Sequence, residues 1–174
     1  MTEGTGPAWL GHQNLKDKAG NDVAASTLND YKLVMIVFTA SWWGGCKPFK
    51  ENLKKYYEEW NATEKQIQVV MVSGDSDEAG YKSSMDGCNW LCVPFKGDSS
   101  EIEKKVPCTG YPTPGIVKID GTVIEADAFG KVSLEALDGW LNKWAKLFWK
   151  IRQSFLLFRG FENCTNAVAL HLLS

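Results

Sequence analysis

Five cysteines, two histidines and one short acidic run are the side chains of this 174-residue chain that could do chemistry at neutral pH. Cys46 has the most telling surroundings. It follows Phe38-Thr39-Ala40-Ser41-Trp42-Trp43-Gly44-Gly45, where the apolar run 33–38 gives way to a charged, helix-favouring segment from about Lys47. A strand that ends in a short turn and feeds a helix brings unpaired N–H groups and the positive dipole end to the sheet edge. A thiol placed there is held partly as thiolate. Two thiols three residues apart share a helical face and can close on each other, which is the arrangement thiol–disulfide exchange needs. Three residues before Cys46 stands Trp43, so only half of such a pair is present.

The other candidates weigh less. Cys88 and Cys92 are four apart around Trp90, with no second cysteine or histidine cluster beside them, so Cys92 reads as a small core hydrophobe and no metal site is expected. Cys164 lies in the C-terminal stretch. His12 and His171 stand at opposite ends of the chain with no fixed partners, so a Cys–His nucleophile has no support. Asp75, Asp77 and Glu78 could be read as paired carboxylates for metal or acid–base work. Helix capping before a helix over 78–85 is the simpler reading.

The elements that must position Cys46 follow from periodicity. Residues 33–40 are almost continuously apolar and predict a central strand covered on both faces. Phe49, Leu53, Tyr56, Tyr57 and Trp60 recur at helical spacing, predicting a helix over 46–60 with Pro48 in its first turn. Residues 67–72 predict a second buried strand, parallel to the first. Leu15 and Val23 flank Ala19-Gly20-Asn21-Asp22 and predict a hairpin. Residues 90–95 form a short apolar run, and Ser99-Ser100-Glu101 is expected to cap a helix to about Lys105. Two strands around Asp120-Gly121 predict a second hairpin. Pro114, within the first of those strands, has no account from sequence. A closing helix over 133–147 carries Leu134, Leu137, Leu141, Trp144 and Ala145 as its apolar stripe. Repeats and low-complexity stretches are absent.

Composition bounds the class. Hydrophobic residues at 44% and charged residues at 23% fit one globular domain with an appendage. A net charge of −2 gives no electrostatic case for nucleic acid or an anionic membrane surface as partner. No run approaches the roughly 18 apolar residues of a membrane span. An odd cysteine count and a polar, glycine-rich start without a signal-peptide pattern point to a reducing compartment, with cytoplasmic location as the expectation.

The stretch 41–46 with Phe49, together with Tyr111-Pro112-Thr113, resembles the Ser-Trp-Cys-x-x-Cys site and the cis-proline loop of the thioredoxin superfamily, most closely its tryparedoxin and nucleoredoxin branch. The resemblance covers about residues 13–147. It implies an α/β, thioredoxin-like fold, a central mixed sheet flanked by helices on both faces. It leaves residues 1–12 as a flexible lead-in anchored by Trp9 and Leu10, and 148–174 as a C-terminal extension. That extension is read as a helix packed back on the domain or a tail without a role; an interfacial amphipathic or docking helix is the sharper alternative.

On this resemblance Trp43 occupies the place of the attacking cysteine and Cys46 the place of the resolving one, one turn into its helix. Trp42, Gly44, Gly45, Tyr111 and Pro112 line the substrate groove, and Cys108 falls where the family has a buried apolar residue. The implied substrate is a protein or small-molecule disulfide or thiol; no cofactor is implied. Three readings follow: a reductase of cell redox homeostasis that retains little or no dithiol activity, a redox-inactive module that holds a protein partner in the groove, or an active enzyme if a one-base difference between cysteine and tryptophan codons restores Cys-Gly-Gly-Cys.

Overall fold

The structure, a computed structural model, describes residues 6–11 and 14–143. By its internal contacts the chain falls into two units, 1–140 and 141–174, and every contact discussed below lies within the first. The expected hairpin is present as β1 (Leu15–Lys16) and β2 (Asp22–Val23), paired antiparallel. The Asp17 carboxylate closes its turn by accepting the N–H groups of Ala19 and Asn21. The central strand β3 (Leu33–Thr39) is buried at every residue, as a strand covered on both faces must be. It pairs parallel with β4 (Ile67–Ser73).

Helix α1 (Cys46–Trp60) makes the parallel crossover between those strands and places Pro48 in its first turn, where a missing N–H costs nothing. Leu53 and Trp60 are its buried anchors. Asn61 ties its end to β4, its amide donating to the carbonyls of Tyr57 and Ile67 while its oxygen accepts from the N–H groups of Gln66 and Ile67. Helix α2 (Glu78–Met85) is capped by Asp77, whose carboxylate accepts the Gly80 N–H at 2.7 Å, in accord with the capping reading. Strand β5 (Leu91–Cys92) runs parallel to β4 and antiparallel to β1. Helix α3 (Ser100–Lys105) follows. Its expected cap is corrected: Ser99 gives its hydroxyl to Glu103, and the Ser100 N–H goes to Asp98.

Strands β6 (Thr113–Lys118) and β7 (Val123–Glu125) form the second hairpin, and β6 pairs antiparallel with β3. The sheet order is β2-β1-β5-β4-β3-β6-β7, so β3 lies near the middle of a mixed sheet. Pro114 now has an explanation. The carbonyl of Pro114 accepts from Ala128 rather than from β3, and β7 pairs with β6 only from Ile116 onward. The N and C=O of one strand residue point the same way, so the missing N–H faces away from β3 and the ladder loses nothing.

On one sheet face Trp9, Leu10, Ile102 and Val106 pack on Val34, Ile36, Phe38, Val70, Val72 and Val117. Each such buried aliphatic side chain contributes on the order of 2 kcal/mol. A fourth helix, α4, starts at residue 136 rather than at Ser133. Leu137 and Trp140 are buried on it, with Trp140 edge-on to Trp60 at 5.8 Å. Leu134, expected in its stripe, is 38% exposed in the preceding turn, where its carbonyl accepts the Trp60 indole N–H. Trp144, Ala145 and the extension 148–174 lie outside the described residues.

Candidate functional site

Beyond Thr39 the chain leaves the sheet, turns through 40–45 and enters α1 at Cys46. Two turn hydrogen bonds shape this loop, Trp43 N–H to the Ala40 carbonyl at 3.3 Å and Cys46 N–H to the Trp43 carbonyl at 3.1 Å. Cys46 is therefore the first residue of α1, not one turn inside it as expected. Gly44 and Gly45 account for the late start, since glycine costs about 1 kcal/mol in a helix relative to alanine. The Cys46 side chain is nevertheless covered, at 3% exposure, while Trp42 and Trp43 stand out at 64% and 52%.

The loop that carries Tyr111 and Pro112 meets this turn. The Tyr111–Pro112 peptide bond is cis, as expected. A Cβ built on Gly45 would lie 3.1 Å from the Trp43 indole nitrogen and 4.0 Å from Cδ of Pro112, so the proline and the indole converge on that glycine. Trp42 sits edge-on to Tyr111 at 5.5 Å and to Trp43 at 6.4 Å. Trp42, Trp43, Gly45, Tyr111 and Pro112 thus form one rim beside Cys46.

Tyr111 needs a seat, and Gly74 provides it. A Cβ on Gly74 would overlap the Tyr111 hydroxyl and ring. Gly74→Ala is expected to cost roughly 1–3 kcal/mol in chemical denaturation through overpacking. The cost should shrink when Tyr111 is also replaced by alanine, a coupling that a double-mutant cycle reads directly.

Sequence reasoning missed Asp75. Its carboxylate accepts from Ser41 twice, from the N–H at 2.9 Å and the hydroxyl at 2.7 Å, and also from the hydroxyls of Ser73 at 2.7 Å and Ser84 at 2.5 Å. It fastens the Trp42–Trp43 turn to the end of β4 and to α2. Burial alone would raise its pKa, but the hydrogen bonds from Ser84, Ser41 and Ser73 outweigh it and hold the carboxyl below its ordinary value. Asp77, two residues on, caps α2, as the sequence suggested, and Asp75 does not. The only hint lay in the spacing of Ser73, Asp75 and Ser84, which does not disclose a partner 34 residues away at Ser41.

Cys108 is exposed, contrary to the expectation of a buried apolar slot. Its sulfur is tucked near the Gly110 carbonyl, and burial there pushes the thiol pKa up. Cys88 and Cys92 are buried, and burial pushes Cys88 up to about 11 and Cys92 upward too, so neither is a ready nucleophile at neutral pH. Among the described residues no three His, Cys, Asp or Glu side chains gather as metal ligands, and no helix is long and apolar enough to cross a membrane.

Residues 30–123 match the family described as thioredoxin-like. The chain is 31% identical to tryparedoxin from Trypanosoma brucei brucei over 132 residues, covering 74% of this chain and 89% of that protein. It is 28% identical over 98 residues to a probable nucleoredoxin 3 from Oryza sativa, and there it spans 55% of itself but only 21% of the relative. Among solved structures, thioredoxin from Wuchereria bancrofti superposes with a TM-score of 0.62 at 30% identity, covering 76% of this chain and 96% of that one. Taken with the mixed sheet, the strand–turn–helix at Cys46 and the cis-proline loop facing it, these likenesses mean that the chain belongs to the thioredoxin-like family, with tryparedoxins and nucleoredoxins among its relatives.

Proposed function

We propose that this chain is a thioredoxin-like reductase scaffold whose attacking thiol is replaced by Trp43, and that it holds a partner in the groove without turning it over. The observation that carries the reading is the inversion of exposure at the turn: an indole stands at the rim and the nearest sulfur, Cys46, is covered. Reducing a disulfide takes two electrons, given up as two thiols join. An attacking thiolate first forms a mixed disulfide and expels one partner sulfur; a second thiol then breaks that bond and leaves as half of a new intramolecular disulfide. One covered thiol can complete neither half-cycle on its own. The exposed aromatic rim retains what binding needs, since tryptophan and tyrosine offer large rigid contact area with a polar tip.

Insulin reduction with dithiothreitol as electron donor tests the reading. The unmodified protein is expected to run at the dithiothreitol background, and Cys46→Ser to change nothing. Turnover well above background that Cys46→Ser abolishes would show the chain to be a working reductase and would end this proposal.

A further inference from the structure

Trp42 stands nearly at right angles to two other rings, 81° to Tyr111 with centroids 5.5 Å apart and 79° to Trp43 at 6.4 Å. We propose that this three-ring rim takes the guanidinium of an arginine presented by a partner protein, with the carboxylates of Asp75 and Glu103 supplying a negative field on the Tyr111 side. The inference deepens the reading of the rim as a holding surface and rests on it for the statement that the held partner is not reduced.

Three observations carry it. The first is the supply of open ring faces. In an edge-on pair one ring offers its edge and keeps both of its own faces clear of the other. Trp42 and Trp43 are 64% and 52% exposed, so much of this electron-rich surface meets solvent. A cation within about 6 Å of a ring centroid is drawn to the face, and tryptophan attracts it best among the aromatic side chains. Among the described residues no lysine already stands over these rings; the cation–ring contacts fall elsewhere, Lys65 over Tyr31 and Lys96 over Phe95.

The second is where negative charge lies. Asp75 sits between the two loops that carry the rings. Its carboxylate accepts from Ser41, the neighbour of Trp42, and the residue before it, Gly74, seats the Tyr111 ring. That carboxyl titrates below its ordinary value, so it is ionised at neutral pH. Among the described residues no lysine pairs with Asp75 or with Glu103. Both charges reach the rim: burial pushes the Tyr111 hydroxyl up, and Cys108, Asp75 and Glu103 push it the same way. A negative potential of this kind favours a cationic guest over a neutral or acidic one.

The third is that the lysines nearest the site are engaged or balanced elsewhere. Lys96 lines a small pocket with Asp75, yet its ammonium lies over Phe95 at 5.2 Å. Lys50 donates to the carbonyls of Ser84 and Ser83, and Lys47 shares the groove beside α1 with Glu51 and Asp86. The form of the guest follows from Asp75 itself. The four hydrogen bonds it accepts fill about all the lone pairs of a carboxylate, so it acts through its field and the guest meets the rings. A planar, weakly hydrated guanidinium stacks on an aromatic face better than a compact ammonium does.

The test follows the indole N–H signals of the isotope-labelled full chain by NMR as a capped peptide of glycine and serine around one arginine is added, beside counterparts with citrulline or leucine in its place. Citrulline keeps the shape of arginine and removes its charge. The arginine peptide is expected to bind about fivefold or more tightly than the citrulline peptide, and to weaken as salt is raised. Trp42→Leu should lose about fivefold in affinity for the arginine peptide, and Trp42→Phe less, since a smaller ring keeps part of the attraction. Glu103→Gln should lose roughly two- to threefold. Its side-chain oxygen can still accept from Ser99, so this variant keeps the test valid if replacing Trp42 disturbs the turn. Citrulline or leucine peptides that bind as tightly as the arginine peptide overturn the proposal, in favour of a rim that reads shape or apolar surface alone. A folded Trp42→Leu or Glu103→Gln protein that binds the arginine peptide unchanged overturns it too. Insulin reduction by the unmodified chain, together with arginine-selective binding, would overturn the redox-silent reading and leave this one standing.

Discussion

On the proposed reading, replacing Trp43 by cysteine is expected to raise insulin reduction from background by on the order of a hundredfold or more, because Cys46 and the cis-proline loop are retained beside it. The new sulfur would sit on the exposed face of the turn, where Trp43 is 52% exposed, so the exchange removes little buried contact. Its position just ahead of α1 lies within reach of the helix's unpaired N–H groups and its positive dipole end, which hold a thiol partly ionised. The Cys46 N–H to Trp43 carbonyl bond folds positions 43 and 46 into one turn. A turn closed in this way holds its end Cα atoms within about 7 Å, and disulfides usually span Cα separations of about 4.4–6.8 Å. A second variant makes the assignment of roles specific. With Trp43→Cys and Cys46→Ser together, the protein should trap a mixed disulfide with its substrate, visible by mass spectrometry, yet fail to turn over. If Trp43→Cys folds normally and stays at background, the scaffold lacks more than the attacking thiol.

What the sequence disclosed of this site, and what it hid, follows one physical division. Features set by local pattern were legible. The apolar run 33–38 read as a strand buried on both faces, and the spacing of Leu53 and Trp60 placed α1 between the residues where it is found. The cis Tyr111–Pro112 loop was legible through resemblance alone. Features set by contacts distant in the chain were not. Asp75 reads locally as one more acid ahead of a helix, and only the fold brings Ser41 to it. Cys108 reads as an interior residue only through the resemblance, yet it is exposed. The start of α1 lay between these cases: periodicity put the helix over 46–60, where it is found, while the resemblance put Cys46 one turn inside it.

Removing the Asp75 carboxylate should both loosen the site and shift the acid stability of the domain. Asp75→Ala deletes the acceptor for four hydrogen bonds and strands the Ser84 hydroxyl, which belongs to a buried residue. A buried donor left unmatched costs about 1–3 kcal/mol, whereas Ser41 at the surface can turn to water. The net loss should be about 2–3 kcal/mol, a fall in thermal midpoint of roughly 5–10 °C. Asp75→Asn, which keeps the shape and one acceptor, should cost less.

The pH dependence separates the charge from the shape. Because the folded carboxyl titrates below its ordinary value of 3.8, the unfolded chain takes up the proton more readily, and stability rises with pH through that range. The contribution of Asp75 is fully present above about pH 4 and fades as pH falls through the lower, folded value. The stability gap between the unmodified protein and Asp75→Asn, measured by urea denaturation, should therefore be constant from neutral pH down to about 5 and narrow below 4. A gap that stays constant to pH 3, or widens there, would mean that the serine hydroxyls do not favour the ionised carboxylate. The turn bearing Trp42 and Trp43 would then owe its position to packing against Tyr111 and Pro112 rather than to this charge.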